Sequence, residues 1–169
     1  MFTKSDIEKY FDAEKQESML FMVVGIAAVV LAVFLFFYIK TSFVKGLIIP
    51  LMLVGAIEFV VGMSVYRRSD QQRMDNVYAM DMDKPKLRNE ELPRMKAVIK
   101  QFVVLRNVEI VLFLIGAGLC FAYRSEQPFT FWYGFGLALC VQAMLALVLD
   151  FFAHKRAVVY LDGLMEFLK

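Results

Sequence analysis

The chain has 169 residues, 60% of them hydrophobic and 15% aromatic, with a formal net charge of +2. This composition excludes a disordered chain and argues against a soluble domain, because four apolar runs reach or approach the roughly 20 residues that cross a bilayer as a helix. The net charge says little about partners, because the charges are segregated by position. The fold class expected is all-α: one integral-membrane four-helix bundle covering residues 1–169, with spans at about 19–39, 46–66, 102–123 and 131–152.

Residues 1–18 are polar and hold three Lys and five acids, which is not the pattern of a secretory signal. Ser5-Asp6-Ile7-Glu8 fits a capping box. Ile7, Tyr10 and Phe11 make a short apolar stripe at helical spacing, so an interfacial helix is expected to lead into the first span. In that span Gly25, Ala28 and Ala32 form a small face suited to helix packing, and Phe36, Phe37 and Tyr38 form an aromatic end. A hairpin at 40–45 follows, and Pro50 is placed near the first turn of the second span.

The second span contains one charge, Glu58. Gly55, Glu58 and Gly62 are spaced i, i+3, i+7 and share one helix face. That face lets another helix come close and presents one acid to it.

Residues 67–101 form the one long polar segment, expected as a cytoplasmic loop. Residues from Tyr66 to Arg73 extend the second helix into water, and DNVYAMDMDKPK reads as loop because of Pro85 and its lack of period. Asn89 is a candidate cap. Met95, Val98, Ile99, Phe102 and Val103 then make an amphipathic extension running into the third span. The nine cations of this segment are mixed with six acids, which reads as a solvated surface rather than a phospholipid or nucleic-acid site.

Arg106 and Glu109 interrupt the third span. The fourth opens on Trp132 and Tyr133, contains Gln142 and ends near Asp150. The tail has Val158, Leu161, Leu164, Met165 and Leu168 roughly on one side, and is expected as a helix on the membrane or against the bundle. Cys120 and Cys140 fall in apolar runs without CxxC spacing, so neither a redox motif nor a zinc site is indicated.

Lys and Arg set the orientation. The N-terminal segment holds three, the long loop nine and the tail three, against Lys40, Lys45 and Arg124 in the two hairpins. Both termini and the long loop are therefore expected in the cytoplasm. Glu58 then lies roughly 12 Å, Glu109 roughly 10 Å and Arg106 roughly 6 Å from the inner ends of their spans, with Asp150 within about 3 Å. One reading has Arg106 bridging Glu58, Glu109 or Asp150 and pinning the helices. The other is a cavity open to the cytoplasm that binds a cation or a proton, since one Arg faces three acids. Gln142 reads as an interhelical hydrogen bonder and His154 as an interfacial anchor. No HExxH, GxSxG or phosphate-binding glycine loop is present, so no catalytic, cofactor or metal residue is assigned and an enzyme is not expected.

The blocks AEKQESMLFMVVG, VYRRSDQQRMDNVYAMD, NEELPRM, FWYGFGLAL and DFFAHKRAVVYL resemble a group of uncharacterised small bacterial four-span inner-membrane proteins. In size and architecture the chain also resembles the hydrophobic immunity proteins that bacteria pair with membrane-damaging toxins of contact-dependent, type VI-like secretion systems. The resemblance implies a multi-pass protein of the bacterial inner membrane that neutralises a protein toxin. The alternative is a small cation- or proton-coupled transporter or channel using Glu58. The partners expected are the lipid bilayer and, on the first reading, the toxin. Nucleic acid is not expected, and a homo-oligomer is left open.

Overall fold

Four long helices make up the chain. The computed structural model describes residues 2–125 and 130–169. Helix α1 spans Lys4–Tyr38 and α2 Ser42–Met82. A short α3, Lys84–Lys86, and a π-helical segment, Leu87–Glu91, lead into α4, Leu92–Tyr123. Helix α5 spans Phe131–Phe167. All four long helices are long and apolar enough to cross a membrane, and no strand occurs among the described residues.

One spacing runs through all four. Phe11, Ser18, Gly25 and Ala32 are buried on α1, Gly55, Gly62, Ser69 and Asn76 on α2, and Met95, Glu109 and Gly116 on α4. On α5 the set is Gly136, Ala143, Ala157 and Leu164. Each set repeats every seven residues or a multiple of seven, the spacing of left-handed helix packing. Most of these residues are small, so the backbones approach closely. A Cβ on Gly25 would sit 2.5 Å from the Gly55 carbonyl oxygen, and one on Gly116 would sit 2.7 Å from that of Gly136.

The pairing is sequential: α1 lies on α2, α2 on α5, and α5 on α4. In the apolar half α4 has its backbone against α5 alone. At the polar end every helix contributes to one core. Phe2, Ile7, Tyr10 and Phe11 of α1 meet Ala79 of α2, Leu87 of the π-helical segment, Met95 of α4, and Ala157, Tyr160, Leu161 and Leu164 of α5. Fully burying Phe11, Ile7, Leu87 or Leu164 contributes about 1.5–3 kcal/mol each. Cross-helix ion pairs flank this core: Lys4–Asp81 and Lys15–Asp70 at 2.5 Å, and Arg73–Asp12 at 2.6 Å. They are half-exposed and add little individually.

The helices correct several expectations. Residues 66–73 continue α2 as expected, but 75–82 are helix too rather than loop, because Ser69, Asn76 and Ala79 turn inward on the same face that Gly55 and Gly62 occupy. The chain reverses at Asp83, whose Oδ1 accepts from the Lys86 N–H at 3.1 Å; Pro85 starts the next helix instead of breaking one, and Asn89 is exposed, not a cap. The N-terminal stripe is not interfacial: α1 is continuous, and Ile7, Tyr10 and Phe11 face the core. Its cap is Thr3, whose N–H and hydroxyl both donate to Asp6 Oδ2, at 2.8 and 2.7 Å. Of the two places expected for the tail, the structure shows the second: it continues α5 and packs against the bundle through Tyr160, Leu161 and Leu164 instead of forming a separate interfacial helix. Pro50 lies well inside α2, leaving the Gly46 carbonyl without its helical N–H donor.

Candidate functional site

The carboxyls of the apolar half converge on α5. Close glycine contacts fix the levels. Gly46 meets Phe131 and Gly116 meets Gly136 and Cys140. Glu58 is twelve residues on from Gly46, and Glu109 is two turns below Gly116. Both therefore reach the level of residues 143–147 of α5. Glu58 is 6% exposed and Glu109 9%. Glu109 and Asp150 are near enough for their carboxyls to act on one another, and the charge of Glu58 acts on Glu109. Asp150 in turn is near Glu17 of α1, which pairs with Arg156 of α5. Glu58 thus faces the bundle interior and not lipid.

Arg106 is not part of it. The residue is exposed and forms no ion pair among the described residues. An i, i+3 offset rotates a side chain about 60° from its neighbour. Helix α4 buries only the narrow stripe of Met95, Glu109 and Gly116, so that rotation takes Arg106 outside. The expected bridge from Arg106 to Glu58, Glu109 or Asp150 is therefore absent. Among the described residues Glu58, Glu109 and Asp150 form no ion pair, and Arg156 is held by Glu17.

Gln142 sits one turn on the other side of the same level and is 3% exposed. Neither its amide nitrogen nor its amide oxygen has a hydrogen-bond partner, so it does not bridge helices as expected. Oε2 of Glu58 and Oε2 of Glu109 are also buried without one. Buried polar atoms left unpaired cost about 1–3 kcal/mol each, so four in one region call for something that satisfies them. Among the described residues no three His, Cys, Asp or Glu side chains have the geometry to hold a metal ion. Neighbouring buried carboxyls without a cation favour the protonated form. The donor set thus suits protons and water. His154 lies with its ring 5.7 Å from that of Phe102, and Cys120 and Cys140 are free thiols, half-buried.

A second polar group lies in the polar core and was not legible in the sequence. Arg94 donates to both oxygens of Glu91, at 2.7 Å each, and stands over the Phe11 ring. The Tyr160 hydroxyl donates to Glu91 Oε1 at 3.1 Å. Tyr10 stacks on Tyr160 with centroids 4.2 Å apart and donates to Glu14, which also accepts from Ser69 at 2.7 Å. Burial, and then the neighbouring Glu91, push the Tyr160 hydroxyl far above its ordinary range, so it remains a donor. The π-helical turn ends on Glu91, and it carries both Leu87 and Glu91 inward. These groups are mutually satisfied, which marks them as architecture.

No protein family, curated protein or solved structure matches the chain. The fold and the site together define a bundle of four long apolar helices with unpaired carboxyls inside it.

Proposed function

We propose that the protein is a multi-pass membrane protein that binds and relays protons through Glu58, Glu109 and Asp150. The observation carrying this reading is the set of buried carboxyl oxygens without a cation, a metal-holding geometry or a hydrogen-bond partner. Intramembrane acids that face a bundle interior are the usual elements of proton relays. Asp150 and Glu17 extend the set toward the polar end, while glycine contacts pack the other end backbone to backbone. Access is thus from the polar end, the cytoplasmic side on the Lys and Arg count. Membrane placement is supported by the exposed apolar surface of α4 from Val103 to Ile115, far more than a water-soluble monomer leaves uncovered. Exposed Phe36, Phe37, Tyr38 and Trp132 at one end suit a membrane interface. Neutralisation of a membrane-targeting toxin in the bacterial inner membrane rests on size and architecture alone, so it stands behind the proton reading.

The orientation is tested by reporter fusions after Phe43, Met80 and Lys169. The first should report outside and the other two inside; an external signal at Met80 would overturn the topology. For function, the protein is reconstituted into vesicles enclosing a pH-sensitive dye. Wild type should dissipate an imposed pH gradient. Glu58→Gln and Glu109→Gln should each slow this by about tenfold or more, the scale of losing one proton-transfer group. Val111→Ala, on the exposed side of α4, should keep the wild-type rate. Flux no greater than in protein-free vesicles, or equal flux in all variants, would sink the proposal.

A further inference from the structure

The charges sort by direction at the junction between the apolar and polar halves. Three cross-helix contacts place the four helices in one transverse slice. Lys15 of α1 lies over the Tyr66 ring of α2 at 4.8 Å. Glu17 of α1 pairs with Arg156 of α5. The Phe102 ring of α4 lies against His154 of α5 at 5.7 Å. Every other charged residue near this slice can be read from the chain. Arg67 and Arg68 follow Tyr66; Lys155 precedes Arg156; Lys100 and Arg106 lie two residues below and four above Phe102, about 3 and 6 Å along the axis. All five are exposed, and none forms an ion pair among the described residues. Lys15 and Arg156, the remaining cations, are held by Asp70 and Glu17. The acids within four residues of the slice are Asp12, Glu14, Glu17, Asp70 and Asp150; Asp12, Glu17 and Asp70 pair with Arg73, Arg156 and Lys15, Glu14 accepts from Ser69, and Asp150 is not exposed.

The exposed charges of the junction that have no ion-pair partner among the described residues are therefore all cations. On one side of the belt the exposed surface is apolar, with Val60, Val104, Leu105, Val148, Phe151 and Phe152 uncovered. On the other side the exposed face is largely polar. Apolar flank, cationic belt, polar flank is the order of acyl chains, headgroups and water across one leaflet. A solvated loop surface, the expectation for the cations of 67–101, would mix the two signs; here three of those nine join Arg106 and Lys155 in a belt of one sign.

We propose that Arg67, Arg68, Lys100, Arg106 and Lys155 form a phosphate-binding belt that selects anionic phospholipid headgroups. The proposal rests on the membrane placement given above but not on proton transfer. Long Arg and Lys side chains lay their stems along apolar surface and extend the charge to the headgroup plane. Arg106 is the clearest case: within the apolar flank it has no inward partner, and its guanidinium reaches back to the interface. Cations near a leaflet surface attract anionic lipid, and the attraction fades with salt.

The test uses the full-length protein in a neutral detergent, titrated with phosphatidylglycerol, phosphatidylcholine or inorganic phosphate while its thermal unfolding is followed. Phosphatidylglycerol should raise the unfolding temperature at a concentration at least about tenfold below that needed with phosphatidylcholine, and high salt should shrink the difference. Inorganic phosphate should do nothing. A variant with all five residues changed to Gln should lose the preference while unfolding normally in phosphatidylcholine. A second variant, Arg67→Lys, Arg68→Lys and Arg106→Lys, should keep it, which guards against misfolding of the first. Equal stabilisation by both lipids, a preference that survives in the Gln variant, or stabilisation by phosphate alone would overturn the belt. If the fusions place the polar half inside and the lipid preference is absent, the belt alone falls. If the fusions fail, the membrane placement falls with it.

Discussion

Arg94→Met should be among the most damaging single changes in the protein. Glu91 is 5% exposed, and Arg94 supplies two of its three hydrogen bonds. Removing the guanidinium leaves a buried carboxylate facing the Tyr160 hydroxyl and two aromatic rings. Breaking a buried pair from one side costs about 3–5 kcal/mol; with Arg94 still 23% exposed, the lower end, about 3 kcal/mol, is expected. The double change Glu91→Gln with Arg94→Met should recover at least half of the loss, because a neutral amide still accepts from Tyr160. Thermal unfolding in detergent measures both. A single variant as stable as wild type, or a double variant no better than the single, would show that Glu91 is not held as described.

The second large effect belongs to the crossing of α2 and α5. A Cβ on Gly46 would stand 2.0 Å from the Phe131 carbonyl oxygen, and one on Gly134 would stand 2.1 Å from that of Phe43. Both obstacles are backbone, so no side chain can swing away and the helices must separate. Gly46→Ala or Gly134→Ala should cost about 3 kcal/mol or more, the upper range of overpacking. Gly118→Ala is the control. Nothing lies within 4 Å of its Cβ position, and alanine favours helix over glycine by about 0.5–1 kcal/mol, so that variant should be slightly more stable. Equal behaviour of the three would mean that the α2–α5 crossing is not close-packed.

The apolar half was legible in the sequence because length and hydropathy suffice to mark four helices. Burial of Glu58 was legible because Gly55 and Gly62 flank it on one face. The outward position of Arg106 was not legible, because the width of the buried stripe on α4 is set by its neighbours, and it admits Glu109 but not a residue three positions away. The polar core was hidden for a different reason. Its apolar residues on α1 and α5, Ile7, Phe11, Leu161 and Leu164, were legible as stripes, but on α2 and the π-helical segment the inward positions include Ser69, Asn76 and Glu91, which carry no apolar period. The signal that would have found them is the seven-residue spacing from Gly55 through Gly62 and Ser69 to Asn76. It passes from small to polar residues without changing face, so a search for hydrophobic residues stops where the face continues.

All four long helices cross from one half of the molecule to the other without interruption. Helix α5 alone is about 55 Å long from its 37 residues. Such rods have no elbow at the junction, and the polar core clamps them together at one end. Each rod then behaves as a lever with its fulcrum in that clamp. If the carboxyls take up protons as proposed, any change in their spacing against α5 would be carried along these rods, toward the far tips where Phe36, Phe37 and Trp132 lie and into the clamp, where absorbance of the stacked Tyr10 and Tyr160 would report it.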